Sequence, residues 1–187
     1  MNDDIKKAIE VLNKGGVILY PTDTVWGIGC DATNEEAVKK IYDIKRRSDS
    51  KSMLVLVDSA VKVEGYVADM PAVAWDLIEL TNKPLTIVYE GAKNLAKNLI
   101  AEDGSIGIRV TNEVFSKQLC LRFKRAIVST SANISGEPAA SHFAEISQEV
   151  KDAVDYIVEY RQDDRKPASP SSIIKLSAKG EVKVIRE

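Results

Sequence analysis

The sequence predicts an α/β protein, a twisted mixed parallel and antiparallel sheet with flanking helices, and three observations carry the prediction. Residues 16–57 read as strand, loop, helix, basic turn and strand. Short apolar runs alternate with helical periodicity through the first half of the chain, as in strands that feed helices packed on a sheet. Strand-like runs then cluster in the tail, which a purely parallel sheet does not accommodate. The chain has 187 residues, 44% of them apolar, enough for one substantial core. No linker rich in proline, glycine and serine divides it, so residues 1–187 are expected to form a single domain with no additional C-terminal domain.

At the N-terminus Ile5, Ala8, Ile9 and Leu12 match one face of a helix, which Gly15 and Gly16 are placed to end. A strand over 17–20 stops at Pro21, which has no backbone donor. A loop comes next with Thr22, Asp23, Thr24, Gly27 and Gly29, polar ligands and close-approach glycines at a strand's carboxyl end. Thr33 and Glu36 have capping-box spacing, and the helix they open buries Ala37, Val38, Ile41, Tyr42 and Ile44. Lys45 falls in the middle of that stripe, with Arg46 and Arg47 to its sides. Taken alone, Lys45 is a cation complementing the helix dipole while its stem reaches water. Grouped with Arg46, Arg47 and Lys51 before a strand over 53–57, it suits a polyphosphate instead.

Asp58 can cap a short turn, and Pro71 starts a helix through Trp75, a core residue on this reading, to Leu80. A strand over 85–89, a helical piece over 95–100 and a strand with Arg109 between Ile108 and Val110 come next. Alternation sets Arg109 opposite its apolar neighbours, where solvent is the simplest destination. A helix over 113–123 leads to a strand over 126–128, which runs into Ser129, Thr130, Ser131, Ala132, Asn133, Ile134, Ser135 and Gly136. So many polar or small side chains at a strand end either form a turn or bind something. Ser141 can cap a helix to Val150. Strands over 156–158, 172–176 and 182–186 close the chain.

A net charge of −2 argues against a surface that grips nucleic acid over its whole extent, leaving room for a local basic groove. Cys30 and Cys120 are too few for a disulfide framework, and one histidine gives no zinc spacing. No apolar run is long enough to cross a membrane, so a cytoplasmic protein without membrane contact is expected. Neither of the common phosphate-binding glycine motifs occurs. A hydrolase using Ser129 or Ser131 with His142 lacks the nucleophile elbow.

Five segments carry a resemblance. Residues 21–32, PTDTVWGIGCDA, the KRR at 45–47, SIGIRV at 105–110, STSANISG at 129–136, and PSSIIKL with the closing VIR together resemble the YrdC/TsaC family of L-threonylcarbamoyladenylate synthases over nearly the whole chain. The resemblance implies a YrdC-like domain that makes threonylcarbamoyl-AMP and pyrophosphate from ATP, L-threonine and bicarbonate, for threonylcarbamoyladenosine modification of tRNA. It implies threonine contacts at Thr24, Arg109, Ser129 and Ser171. It implies ATP contacts at Arg47, Lys51, Ser105, Ser131, Ala139 and Arg186, with Lys45, Arg47, Ser131 and Asn133 forming the catalytic K-x-R and S-x-N motifs. No metal ligand is identified among the side chains, and Mg²⁺ is expected to arrive with ATP. Weak tRNA contact and downstream threonylcarbamoyl-transfer proteins are the implied partners. Ser48, Ser52 and Thr111 stand where the family commonly has proline. The alternatives are an RNA-binding module acting in tRNA or rRNA maturation and a carbamoyl-handling domain.

Overall fold

The computed structural model describes residues 1–47, 53–166 and 168–187. Helix α1 (Asn2–Asn13) buries Ile5, Ala8 and Leu12 and ends where Gly15 takes φ 72°, a left-handed conformation open to a residue without Cβ. After it come β1 (Ile18–Tyr20), β2 (Gly27–Gly29), α2 (Glu35–Lys45), β3 (Leu54–Val57), the short α3 (Ala60–Val63), α4 (Ala72–Leu80), β4 (Leu85–Tyr89) and β5 (Ile106–Val110). The remaining elements are α5 (Val114–Phe123), β6 (Ile127–Ser131), α6 (Gln148–Ala153), β7 (Tyr156–Ile157), β8 (Ser172–Leu176) and β9 (Val182–Arg186). Among the described residues these strands make one sheet in the order β7, β1, β2, β6, β3, β5, β4, β8, β9. The pairs β1/β7, β3/β5 and β4/β8 are parallel and the others antiparallel, the mixed sheet that the clustered tail strands predict.

Alternation along the strands divides the core in two. Ile18, Tyr20, Leu56 and Ile127 meet Ile5, Ala8 and Leu12 of α1 and Phe115 and Leu119 of α5. Leu19, Val55, Val57 and Val128 point the other way, into a larger cluster with Ala37, Val38 and Ile41 of α2. Direct partners in a ladder share a face, so the register extends the first face sideways. Leu54 opposes Ser129, Leu56 opposes Arg109, Arg109 opposes Thr86, Thr86 opposes Ile173, and Ile173 opposes Arg186. Helix α1 packs on α5, β1 and β7, and α5 on β3. Beyond them Leu54, Ser129, Arg109, Ile173 and Arg186 of this row line a cavity.

Several local expectations are corrected. The loop over 21–32 contains β2, because Gly27 and Gly29 pair with β1 on one side, and Gly27 and Ile28 with β6 on the other. A Cβ on Gly29 would lie 2.5 Å from the Val128 carbonyl oxygen and 2.6 Å from the Tyr20 ring, so glycine here permits close strand packing rather than a flexible loop. Asn34, not Thr33, caps α2: its Oδ1 accepts from the Ala37 N–H at 3.1 Å, while the Thr33 hydroxyl donates to Asp31. Strand β6 continues through Ser131, since its later residues pair with β2 and β3. The segment expected to form one helix from Ser141 splits into a 3₁₀ turn, Phe143–Glu145, and α6 capped by Ser147. Residues 97–99 likewise form only a 3₁₀ turn. Trp75 is half-buried and lies outside the buried core, because α4 buries fully only Ala74.

Gly29→Ala is expected to destabilise the fold by roughly 1–3 kcal/mol, the usual scale for overpacking a close-packed site. Urea unfolding of the variant beside the wild-type protein measures the loss, and an unchanged midpoint would contradict the packing argument.

Candidate functional site

The cavity on the open part of the sheet has a volume of about 360 Å³. Thr24, Arg47, Arg109, Ser129, Ser131, Ala139, Ser171 and Arg186 line it, along with Gly27, Leu54 and Ile173. The site thus draws on both ends of the chain and on five strands, β2, β6, β3, β5 and β8, with Arg186 from β9. Lys51, Ser48 and Ser52 lie outside the described residues.

Arg109 is 3% exposed, which overturns the solvent destination. Alternation does place it opposite Ile108 and Val110, but that face is the cavity. Its Nε lies 3.0 Å from Asp23 Oδ1, and its Nη2 donates to Thr24 Oγ1 at 3.1 Å. A buried guanidinium requires such compensation, since an unpartnered charge inside a fold costs several kcal/mol. Burial raises the Asp23 carboxyl above the ordinary carboxylate range, and Arg109 opposes that rise. The loop carrying both partners is braced within itself. Thr22 Oγ1 donates to the Val25 carbonyl at 2.7 Å and accepts from the Thr24 N–H at 3.1 Å.

Lys45 is 2% exposed, so its stem does not reach water. Its Nζ donates to the carbonyls of Ser131 at 2.6 Å and Asn133 at 2.7 Å, and its own carbonyl accepts from Ser135 N–H at 2.9 Å. Asn133 does not line the cavity either; its amide donates to the carbonyls of Ile134 and Glu137. These two residues therefore shape the end of β6, and Ser131 is the member of the S-x-N motif that faces the cavity. Burial, and then Arg47, pulls the Lys45 amine down to about 8. Helix α2 stops as Arg46 takes φ 49° and the Arg47 N–H turns back to the Tyr42 carbonyl at 3.0 Å. That left-handed residue sends Arg46 outward to Glu149 and brings Arg47 to the cavity wall.

From the β8/β9 edge Arg186 donates through Nε and Nη2 to the Ser171 carbonyl, at 3.0 and 2.7 Å. The Ser171 and Thr86 hydroxyls are 2.8 Å apart. Phe143 packs against Trp26 with ring centroids 4.9 Å apart, holding the segment whose Ala139 reaches the cavity. Ser105 is buried but outside the lining, its hydroxyl donating to Asp103 at 2.5 Å. Lys175 and Ser105 together hold the Asp103 carboxyl down at about 2. Thr111 donates its N–H to the Val57 carbonyl at 3.0 Å, a bond that a proline at this position would lose.

A second cavity, about 290 Å³, lies between the C-terminal end of α4 and strands β4 and β5, with Asp23 and Glu113 on its wall. Both carboxylates are already engaged, Asp23 with Arg109 and Glu113 with Arg161 and the Ser116 N–H. The first cavity gathers three guanidinium groups and several hydroxyls on one wall and is the candidate site. Asp23 and Thr86 are polar residues beside it to which motif reading assigns no substrate contact. Asp23 has a signal, its position between two threonines ahead of the glycine strand. Thr86 has none, because only the register opposite Arg109 brings it to the site.

Comparison with known proteins finds relatives of this fold. The Sua5/YciO/YrdC family model, described as "Telomere recombination", matches residues 10–187. A threonylcarbamoyl-AMP synthase of Pseudoalteromonas translucida is 36% identical over 159 residues, 83% of this chain and 84% of that protein. The crystal structure of E. coli YciO superposes with a TM-score of 0.85 at 25% identity, covering 100% of this chain and 90% of that one. P. abyssi Sua5, solved as a complex with L-threonine, superposes with a TM-score of 0.82 at 23% identity over 92% of this chain, a likeness of fold. This chain spans about half of that longer protein, 50% of its length.

Lys45 makes a pH prediction. Its folded-state value near 8 lies below the ordinary 10.5, so between these limits the unfolded chain holds a proton that the folded protein has released. The penalty is complete below pH 8 and fades as pH rises toward 10.5. The stability of the wild-type protein relative to Lys45→Met should therefore increase over that window, by at most about 1.4 kcal/mol per pH unit. Urea unfolding of both proteins at pH 7.5 and pH 10 measures the difference, and a flat difference would rule the shift out.

Proposed function

Because the chain belongs to the Sua5/YciO/YrdC family, we propose that it is a threonylcarbamoyl-AMP synthase, a nucleotidyltransferase consuming ATP, L-threonine and bicarbonate and releasing pyrophosphate. The observation that carries the reading is one cavity that joins Arg47 and Arg186 with Arg109, Thr24 and Ser129. Such a cavity suits two anions of different kinds, a triphosphate and an amino-acid carboxylate. Arg109 is the partner for the threonine carboxylate, with Thr24, Ser129 and Ser171 around the remainder of that substrate. Arg47, Ser131, Ala139 and Arg186 face the nucleotide; the family motifs add Lys51 as a further ATP contact, whereas Ser105 lies outside this cavity.

In the reaction a carbamate oxygen of threonylcarbamate forms a bond to the α-phosphorus while the bond between the α- and β-phosphates breaks. Negative charge then collects on the departing pyrophosphate, where a guanidinium stabilises it in a water-poor cavity. The hydroxyls and guanidinium groups hold the two reactants side by side, and proximity supplies the remainder of the rate. Mg²⁺ would arrive on the triphosphate, whose oxygens are hard ligands suited to it. The product is the activated donor for threonylcarbamoyladenosine in tRNA, passed to downstream transfer proteins in the cytoplasm. A net charge of −2 leaves tRNA contact weak and salt-dependent, which disfavours the RNA-module reading.

Purified protein with ATP, Mg²⁺, L-threonine and bicarbonate is expected to release pyrophosphate, with a product carrying both threonine and AMP. Pyrophosphate release indifferent to threonine would sink the reading. For the division of roles, Arg47→Ala should mainly weaken ATP binding and Arg109→Ala mainly threonine binding. Each loses about 1.5–3 kcal/mol, roughly ten- to a hundredfold in affinity. Arg109→Lys keeps the charge but not the planar fork and should remain impaired. Calorimetric titration of each ligand into variants that melt like the wild type decides this, and equal losses for both ligands in both variants would refute separate subsites.

A further inference from the structure

Asp23 sits beside the substrate cavity without lining it; its carboxylate is on the wall of the second cavity, behind the Arg109 guanidinium. We propose that Asp23 is a positioning residue for the α-carboxylate subsite: it holds the Arg109 fork in one orientation and thereby sets threonine affinity without touching threonine. The inference rests on the proposed function, in which Arg109 receives that carboxylate.

A guanidinium presents five N–H groups in a plane. Asp23 Oδ1 lies 3.0 Å from Nε, an ion pair without the alignment of a hydrogen bond, and Thr24 accepts from Nη2 at 3.1 Å, so among the described residues the Nη1 side of the fork is left for a planar acceptor such as a carboxylate. The aliphatic stem of an arginine rotates freely when nothing holds its head, and a bidentate contact is lost when the fork turns. A fixed partner on Nε removes that freedom before the ligand arrives.

Asp23 can serve as a fixed partner because its own loop is fastened from outside the cavity. Arg161 Nη1 donates to the Thr22 carbonyl at 3.3 Å and lies 3.4 Å from Glu113, whose carboxylate caps α5. Thr22 is in turn bonded to Thr24 and Val25. The line from the N-terminus of α5 through Arg161 and Thr22 to Asp23 ends on a guanidinium buried in the sheet. The negative charge also matters, since it offsets the burial of Arg109 whether or not a substrate is present.

The test uses Asp23→Ala, Asp23→Asn and Asp23→Glu in the full chain, with separate calorimetric titrations of L-threonine and ATP and a melting curve for each variant. Asp23→Ala is expected to weaken threonine binding about tenfold, the lower end of the loss caused by removing the partner that orients a ligand-holding group. ATP affinity should stay within about twofold of wild type, because the nucleotide side of the cavity does not depend on Asp23. Asp23→Asn keeps the shape and one acceptor oxygen and should lose less, and Asp23→Glu should restore part of the affinity. In an Arg109→Ala background the Asp23→Ala change should cost nothing further in threonine affinity, since its effect passes through Arg109. If Asp23→Ala melts well below the wild type, Asp23→Asn carries the same test. A role confined to stability would lower melting temperatures and leave both affinities unchanged, and that result overturns the proposal. So does an equal loss for ATP and threonine, or an undiminished loss in the Arg109→Ala background. Arg109→Ala with normal threonine binding would instead overturn the subsite assignment on which the proposal rests.

Discussion

The candidate site depends on one buried ammonium. Lys45 closes α2 with its Nζ between the carbonyls of Ser131 and Asn133, residues 86 and 88 positions further along the chain. Two hydrogen bonds from a charged donor outweigh neutral ones, and they fasten the end of α2 to the end of β6 at the point where both reach the cavity. Arg47 comes two residues after Lys45, and Ser131 is itself one of the carbonyl partners, so the same contact sets the spacing between a cation and a hydroxyl on the cavity wall. The cost is a desolvated charge, visible in the lowered affinity of the amine for its proton. A neutral amine still has two N–H groups for two carbonyls, so the tether survives loss of the proton.

The sheet provides the second constraint. Its two faces are unequally covered, since α1 and α5 occupy one face mainly over β7, β1 and β3 while the other face carries the larger apolar cluster. Alternation then forces every second residue of β5, β4 and β8 onto the uncovered part of the first face, where apolar side chains would meet water. Along the row that crosses the cavity the positions are Arg109, Thr86 and Ile173, with Arg186 of β9 opposite Ile173. Strand β2 reaches the same face with no side chains at Gly27 and Gly29, so the backbone comes close to Ser129, Val128 and Tyr20. Large side chains there would fill the space that the polar row leaves for ligand.

The two charged residues illustrate how far residue patterns reach. Periodicity alone turns Lys45 inward and sets Arg109 opposite Ile108, and both directions hold in the fold. What those directions meet was not legible. Lys45 meets carbonyls at the end of a distant strand, and Arg109 meets Asp23 and a cavity rather than bulk water.

By itself the sequence determined the α/β class, the bounds of β4, β8 and β9, the buried stripe of α2 and the five segments that carry the family. The elements rest on local physics, namely the period of apolar residues, the absence of a proline donor, and glycine at a helix end, and the five segments on their resemblance to the family's motifs. Tertiary structure alone decided that a glycine-rich stretch is a strand, because glycine has weak intrinsic strand preference and β2 exists only through its pairing with β1 and β6. It also decided that Asn34 rather than Thr33 caps α2, a competition settled by Asp31 drawing the Thr33 hydroxyl away. The places of Thr86 and Asp23 beside Arg109 were decided in the same way, Thr86 by its register opposite Arg109 and Asp23 by the loop between β1 and β2 meeting that strand, and neither is a property of local sequence.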